Sequence, residues 1–175
     1  MAEYPARYVR EHRLRDGRAV TLRPIRPDDA ALVREFLTGL SGESRYLRFQ
    51  KWVHAPSEKL VRFLTDVDHD RHLALVCTTR TENGEKIVGE ARYVVEPDER
   101  TCELGIAIAD DWHRTGIAGL LMQALMTAAR ARGLASMEGL VLAGNREMLR
   151  FVRALGFDAR STPEDPRTVR IVKKL

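Results

Sequence analysis

The sequence predicts one α/β domain, a mixed and largely antiparallel sheet with helices on both faces. Three observations predict it. Between residues 72 and 109, three apolar runs are separated by Glu82-Asn83-Gly84-Glu85 and Glu96-Pro97-Asp98-Glu99, the pattern of an antiparallel meander. From about Thr115 to Arg132, Ile117, Leu120, Leu121, Ala124, Leu125 and Ala128 recur at helical spacing, and a strand-like run follows at Ser136 to Leu142. Strand, helix and strand at that spacing imply a right-handed parallel crossover. The length of 175 residues matches the ~100–200 residues of one domain.

The elements follow in order. Arg7 to Leu14 and Ala19 to Ile25 flank Asp16-Gly17, a strong hairpin signal. Residues 1–19 are expected to extend a core over about 20–175. Pro27-Asp28-Asp29 opens a helix whose apolar positions run from Ala30 to Leu40. Ser41 to Lys51 forms a short helix or loop with Tyr46 and Phe49, and Trp52 beside it. Ser57 caps a further helix carrying Leu60, Val61, Phe63 and Leu64. Strands are expected at His72 to Thr79, Lys86 to Val95, Thr101 to Ala109 and Ser136 to Leu142. The helix from Thr115 ends at Gly133, as a C-terminal glycine cap requires. A helix from Asn145 to Leu155 stops at Gly156, and Thr168 to Val172 supplies a last strand.

Composition excludes several classes. No apolar run approaches the ~18 residues that span a bilayer. The first residues lack an apolar signal core, so a cytoplasmic location is expected. Cys77 and Cys102 lie in strand-like runs, which favours buried thiols over a disulfide. The net charge is +4, with arginines crowded at positions 7, 10, 13, 15, 18, 23 and 26. That run lacks the aromatic interleaving that stacks bases, so a solvated face or an electrostatic guide for an anionic ligand is expected before nucleic acid. Asp68-His69-Asp70-Arg71-His72 reads as a surface turn; no matching distant ligands suggest a metal.

The most informative stretch is Asp110-Asp111-Trp112-His113-Arg114-Thr115-Gly116-Ile117-Ala118-Gly119-Leu120-Leu121. It joins an alternating strand to a long amphipathic helix through a glycine-bearing turn. The first amides of a helix are free, and the helix dipole favours an anion there. Gly116 and Ala118 leave the backbone open to close approach. In the preceding strand, Cys102, Leu104, Ile106 and Ile108 share one face, while Glu103, Gly105, Ala107 and Ala109 share the other. The second face is small and open, a cleft floor with one carboxylate at its mouth. A bulge would break this alternation.

These residues resemble the GCN5-related N-acetyltransferase (GNAT) superfamily, whose acyl-CoA turn reads Gln/Arg-x-x-Gly-x-Gly/Ala; here it is His113-Arg114-Thr115-Gly116-Ile117-Ala118. The resemblance extends from Leu22-Arg23-Pro24-Ile25-Arg26-Pro27-Asp28-Asp29 to Leu155-Gly156-Phe157. Within that superfamily, Ser44-Arg45-Tyr46 with Phe49, Ile87-Val88-Gly89-Glu90-Ala91-Arg92, Glu103-Leu104-Gly105 and Asn145-Arg146-Glu147-Met148-Leu149 are similar to the acetyltransferase domain of bacterial protein-lysine acetyltransferases acting on acyl-CoA synthetases. The resemblance implies a GNAT-like fold and acetyl-CoA as cosubstrate. The acceptor it implies is a protein lysine, with an acyl-CoA synthetase as one such partner. Its cofactor-binding residues would be Ile106, Ala107, Ile108, His113, Arg114, Thr115, Gly116, Ile117, Ala118, Gly119, Asn145 and Met148. Asn145 is equally an ordinary helix cap, and His113 either touches phosphate or points to solvent.

The chemistry asks for few groups. A lysine ammonium, with a reference pKa of ~10.4, must lose a proton before its nitrogen attacks the thioester. Glu103 is the candidate general base, directly or through a water; otherwise it is a plain exposed carboxylate. The resemblance implies an oxyanion held by a backbone N–H near Ile106. Many GNAT enzymes place a tyrosine acid four residues before the Gly of the closing Gly-Phe, where this chain has Val152 beside Phe151. A thiolate is a tolerable leaving group, so solvent protonation and Tyr93 on a nearby strand are the remaining alternatives. The acceptor is expected near Tyr46, Phe49 and Trp52, in a region rich in Arg45, Arg48, Lys51 and Lys59. Those cations disfavour a cationic small amine, and also a lysine-rich surface unless acidic residues surround the target. A small-molecule amine acceptor and a non-catalytic acetyl-CoA-binding module are the alternative readings.

Overall fold

A computed structural model describes residues 3–51 and 53–175. Its strands are β1 (Arg10–Arg13), β2 (Ala19–Pro24), β3 (His72–Thr81), β4 (Gly84–Val95), β5 (Thr101–Ile108), β6 (Ser136–Leu142), β7 (Asp158–Ser161) and β8 (Thr168–Lys174). The helices are α1 (Ala30–Gly39), α2 (Gly42–Phe49), α3 (Glu58–Thr65), α4 (Ile117–Arg132) and α5 (Arg146–Ala154). The strands form one sheet in the order β1-β2-β3-β4-β5-β6-β8-β7. Among the described residues, only β5 and β6 pair in parallel; every other neighbour is antiparallel. The expected α/β architecture, with its meander and its parallel strand–helix–strand unit, is therefore the one observed.

Local chemistry explains the boundaries. Ser41 and Ser57 cap α2 and α3 by accepting from the amides of Ser44 and Leu60. The motif opening at Leu22 is structural. The Arg23 fork grips Asp29 at 2.7 and 2.8 Å, and Asp29 also accepts from the Arg26 amide at 2.8 Å. Both side chains are buried, so this pair locks β2 to the turn that starts α1. Two details differ from expectation. Helix α4 begins at Ile117, not Thr115, because Gly116 has φ +95° and cannot be helical. Strand β7 has no apolar alternation to announce it; Asp-Ala-Arg-Ser is an edge strand that β8 recruits by backbone pairing.

The core fills both faces of the sheet. On one, Ile117 and Leu121 of α4 approach Gly89 so closely that a Cβ there would lie 3.2 and 3.1 Å from their side chains. On the other, α1 packs on β4, α2 on β5, and α3 on α1. Cys102 is wholly buried, and Cys77 likewise, both as free thiols. Among the described residues, no helix is long and apolar enough to cross a membrane.

Candidate active site

The site grows from a fork in the sheet. Strand β5 pairs with β4 along its length in unbroken register, from Val95↔Cys102 to Gly89↔Ile108. It pairs with β6 only at Thr101↔Ser136, Cys102↔Met137 and Glu103↔Glu138. Beyond Glu103 the two strands part, and β6 continues with β8 instead. The alternation of antiparallel pairs tells which backbone groups this exposes. Ala109 N–H donates to the Val88 carbonyl at 2.9 Å, so the amides of Gly105 and Ala107 also point to β4. Those of Leu104, Ile106 and Ile108 then point into the fork. His113 satisfies one such group, its Nε2 donating to the Ile108 carbonyl at 3.1 Å.

The fork opens into a cleft of about 760 Å³. Its far end is the turn before α4, where Arg114 and Gly116 both adopt positive φ, 62° and 95°. Gly116 caps α4 without any side-chain bond, so the first amides of the helix remain free to take an anion. Helix α2 roofs the cleft. Asp110 accepts from Ser41 N–H and Oγ and from Ser44 Oγ at 2.9, 3.0 and 2.6 Å, tying the start of α2 to the end of β5. Burial would raise the Asp110 pKa, but these donors hold it below the usual carboxylate range. At its other end Gln50, in a left-handed conformation, donates from Nε2 to the Leu140 carbonyl of β6 at 2.8 Å. The roof thus spans both arms of the fork.

A charged cluster lies beneath the roof. Glu90 is buried and receives Arg48 at 3.2 Å on one oxygen and Arg92 on the other. Arg92 also donates to the Leu64 carbonyl at 3.2 Å and to His72 Nε2 at 3.0 Å. Burial, helped by the adjacent Arg92, pushes the His72 pKa down to about 4, which keeps it a neutral acceptor. The Arg48 guanidinium lies flat where Gly105 has no side chain; a Cβ there would sit 2.7 Å from Nη2.

Comparison with known proteins agrees with this geometry. The family profile of the acetyltransferase (GNAT) domain matches residues 19–158. The chain belongs to the GNAT acetyltransferase family. An acetyltransferase of Pseudomonas aeruginosa is 34% identical over 152 residues, covering 87% of this chain and 82% of that protein. Among solved structures, the GNAT domain of S. lividans PAT superposes with a TM-score of 0.89 at 26% identity, covering 99% of this chain and 100% of that one. A cAMP-binding acyltransferase from Mycobacterium smegmatis gives a TM-score of 0.64 at 26% identity, covering 97% of this chain but only 48% of that one. This GNAT domain is accordingly an N-acetyltransferase with acetyl-CoA as cosubstrate.

The GNAT cleft gathers most of the residues expected from the sequence. Glu103, Ile106, Ala107, Ile108, His113, Arg114, Gly116, Ala118, Gly119, Asn145 and Met148 all border it. Thr115 and Ile117 do not. Thr115 Oγ1 donates to the Trp112 carbonyl at 2.7 Å, and the Ile117 side chain is buried against the sheet. Asn145 caps α5 by accepting from Met148 N–H, which leaves its amide nitrogen available to the cleft. The small face of β5 is not an open floor: Arg48 covers it at Gly105, and the open element is the strand's edge. Phe151 borders the cleft, whereas Val152 is in the core, so α5 presents no hydroxyl there. Tyr93 is buried on the opposite face from Glu103 and is no acid for the cleft. Of the acceptor aromatics, Phe49 borders the cleft and Tyr46 does not, and Trp52 lies outside the described residues. Arg48 and Lys51 border it; Lys59 lies apart, beside Arg62 and Asp66.

Several lining residues were unread in the sequence, among them Gln50, Leu140 and Phe151. The Glu90–Arg92 pair did leave a signal. Two opposite charges two apart in an otherwise apolar strand share a face, and inside a sheet they must pair.

Proposed function

We propose that this protein transfers the acetyl group of acetyl-CoA to a lysine amine of a protein, with Glu103 as general base. The observation that carries the reading is the position of Glu103 at the crotch of the fork. It is the last β5 residue in register with β6, it borders the cleft, and among the described residues it has no hydrogen-bond or ion-pair partner. Its neighbour Glu138, by contrast, is occupied by Arg170. A free carboxylate beside unpaired strand-edge amides suits the two needs of the reaction. Glu103 accepts the ammonium proton, the amine attacks the thioester carbon, the Ile106 N–H meets the developing oxyanion, and CoA departs as a thiolate that takes its proton from solvent. Thr115 and Ile117 support the turn from behind, while the amides from Gly116 to Gly119 receive the pyrophosphate of CoA. The resemblance to protein-lysine acetyltransferases makes an acyl-CoA synthetase the first acceptor to try.

The test is CoA release by wild type and Glu103→Gln, with acyl-CoA synthetases and small amines as separate acceptor pools. Expected is release that requires the protein pool and drops by about 10²-fold or more in the variant, the lower range of general-base contributions, with acetyl-CoA affinity retained. Release with small amines alone would overturn the acceptor, and an unchanged pH–rate profile in the variant would overturn the base.

A further inference from the structure

The cluster under the roof is not neutral. Arg48 and Arg92 share one carboxylate, Glu90, and His72 is an acceptor to Arg92. Arg92 is enclosed, with its donors spent on Glu90, Leu64 and His72. The surplus charge therefore resides on Arg48. Its Nε and Nη2 reach Glu90, while Nη1 makes no hydrogen bond among the described residues. This guanidinium borders the cleft with its side chain 16% exposed. It lies over Gly105, whose position shares a strand face with Glu103 two residues away. Two strand residues span roughly 7 Å.

An under-neutralised guanidinium in a half-closed cleft is a carboxylate receptor, because its planar fork fits an acid group and burial strengthens the attraction. We propose that Arg48 reads an acid group on the acceptor, so that the preferred acceptor is an amine carrying a carboxylate about 7 Å away. In a protein, this is an Asp or Glu beside the target lysine. The inference rests on the reading that the acceptor amine comes to Glu103. It also resolves how a lysine is admitted past Arg48 and Lys51: the target's own acid offsets them.

The experiment compares kcat/KM for two lysine peptides that differ only by Glu or Gln beside the lysine, and for free lysine against lysinamide. Wild type is expected to favour the carboxylate partner by about tenfold or more, the scale of one charge-assisted hydrogen bond. Arg48→Gln should bring that ratio close to one. It should fold, because Arg92 still neutralises Glu90. Gly105→Ala gives an independent approach: its Cβ pushes the Arg48 fork aside, keeps the charge, and should lower the same ratio. Exposed Arg153→Gln on α5 should leave the ratio unchanged. Equal rates with carboxylate and amide partners in wild type, or a ratio that survives in Arg48→Gln, would overturn the assignment and leave acetyl transfer standing. Preference for free lysine over lysinamide without peptide turnover would keep Arg48's role and end the protein-lysine reading.

Discussion

Glu90→Gln isolates the electrostatics of the fold beneath the site. The substitution keeps shape and removes the only carboxylate, among the described residues, that Arg48 and Arg92 contact. Glu90 is 3% exposed and Arg92 likewise 3%, so water cannot replace the lost charge. The amide nitrogen of glutamine would also face a guanidinium, donor against donor. Removing one partner of a buried pair costs about 3–5 kcal/mol. For a chain of this size that lowers Tm by roughly 6–20 °C. Urea denaturation followed by circular dichroism measures it. Adding Arg48→Gln removes one of the two stranded cations, so the double variant should recover part of the loss. A loss within about 0.5 kcal/mol, as for an ordinary surface substitution, would refute the account. Burial by itself would raise the Glu90 pKa, but Arg92 and then Arg48 outweigh it and hold the carboxyl below its usual range. A folded pKa below the unfolded one means that the stabilisation is complete above the unfolded value of ~4.3 and fades as pH falls through the folded value. The gap between wild type and variant should therefore narrow on acidification below about pH 4.

Four further outcomes rest on the structure. Asp29→Asn, which breaks the buried fork with Arg23 but leaves that guanidinium its second carboxylate, Glu85, should cost about 1.5–3 kcal/mol, the scale of hydrogen bonds to a charged group, in thermal or urea unfolding. Gly116→Ala should cost about 1–2 kcal/mol of stability, because a Cβ at φ +95° is strained even with open space around it. Gly119→Ala, within the first turn of α4 and equally open, should stay within about 0.5 kcal/mol. Burial pushes both thiols, Cys77 and Cys102, up to about 12, so a thiol reagent at neutral pH should label neither until the chain is unfolded; rapid labelling of the native protein would contradict their burial.

Local signals carried most of the fold. Glycine- and proline-bearing turns punctuated the meander, helical spacing marked α1 and α4, and Ser57 announced the start of α3, whereas residues 41–51 read equally as helix or loop, the Ser41 cap emerging only in the structure. These features act within a few residues of themselves, so they read directly from the chain. The glycine turn before α4 and the lone glutamate of β5 were legible for the same reason. Strand β7 was not, since nothing in Asp158–Ser161 demands a strand until β8 lies beside it. Nor could spacing tell that Thr115 and Ile117 turn away from the cleft, because a helix start that shifts by two residues redirects each side chain.

The sequence by itself determined most of the strand and helix segments, where the glycine turn before α4 lies, and that Glu103 opposes Cys102 across β5. Those follow from backbone sterics and side-chain alternation, which need no partner. Only the tertiary structure decided that β5 leaves β6 after Glu103, that α2 bridges the resulting fork, and that Arg48 lies on Gly105 with its charge half spent on Glu90. Those facts depend on contacts between residues far apart in the chain. Glu90 and Arg48, separated by 42 positions, acquire their meaning only when burial removes the water that would otherwise screen them.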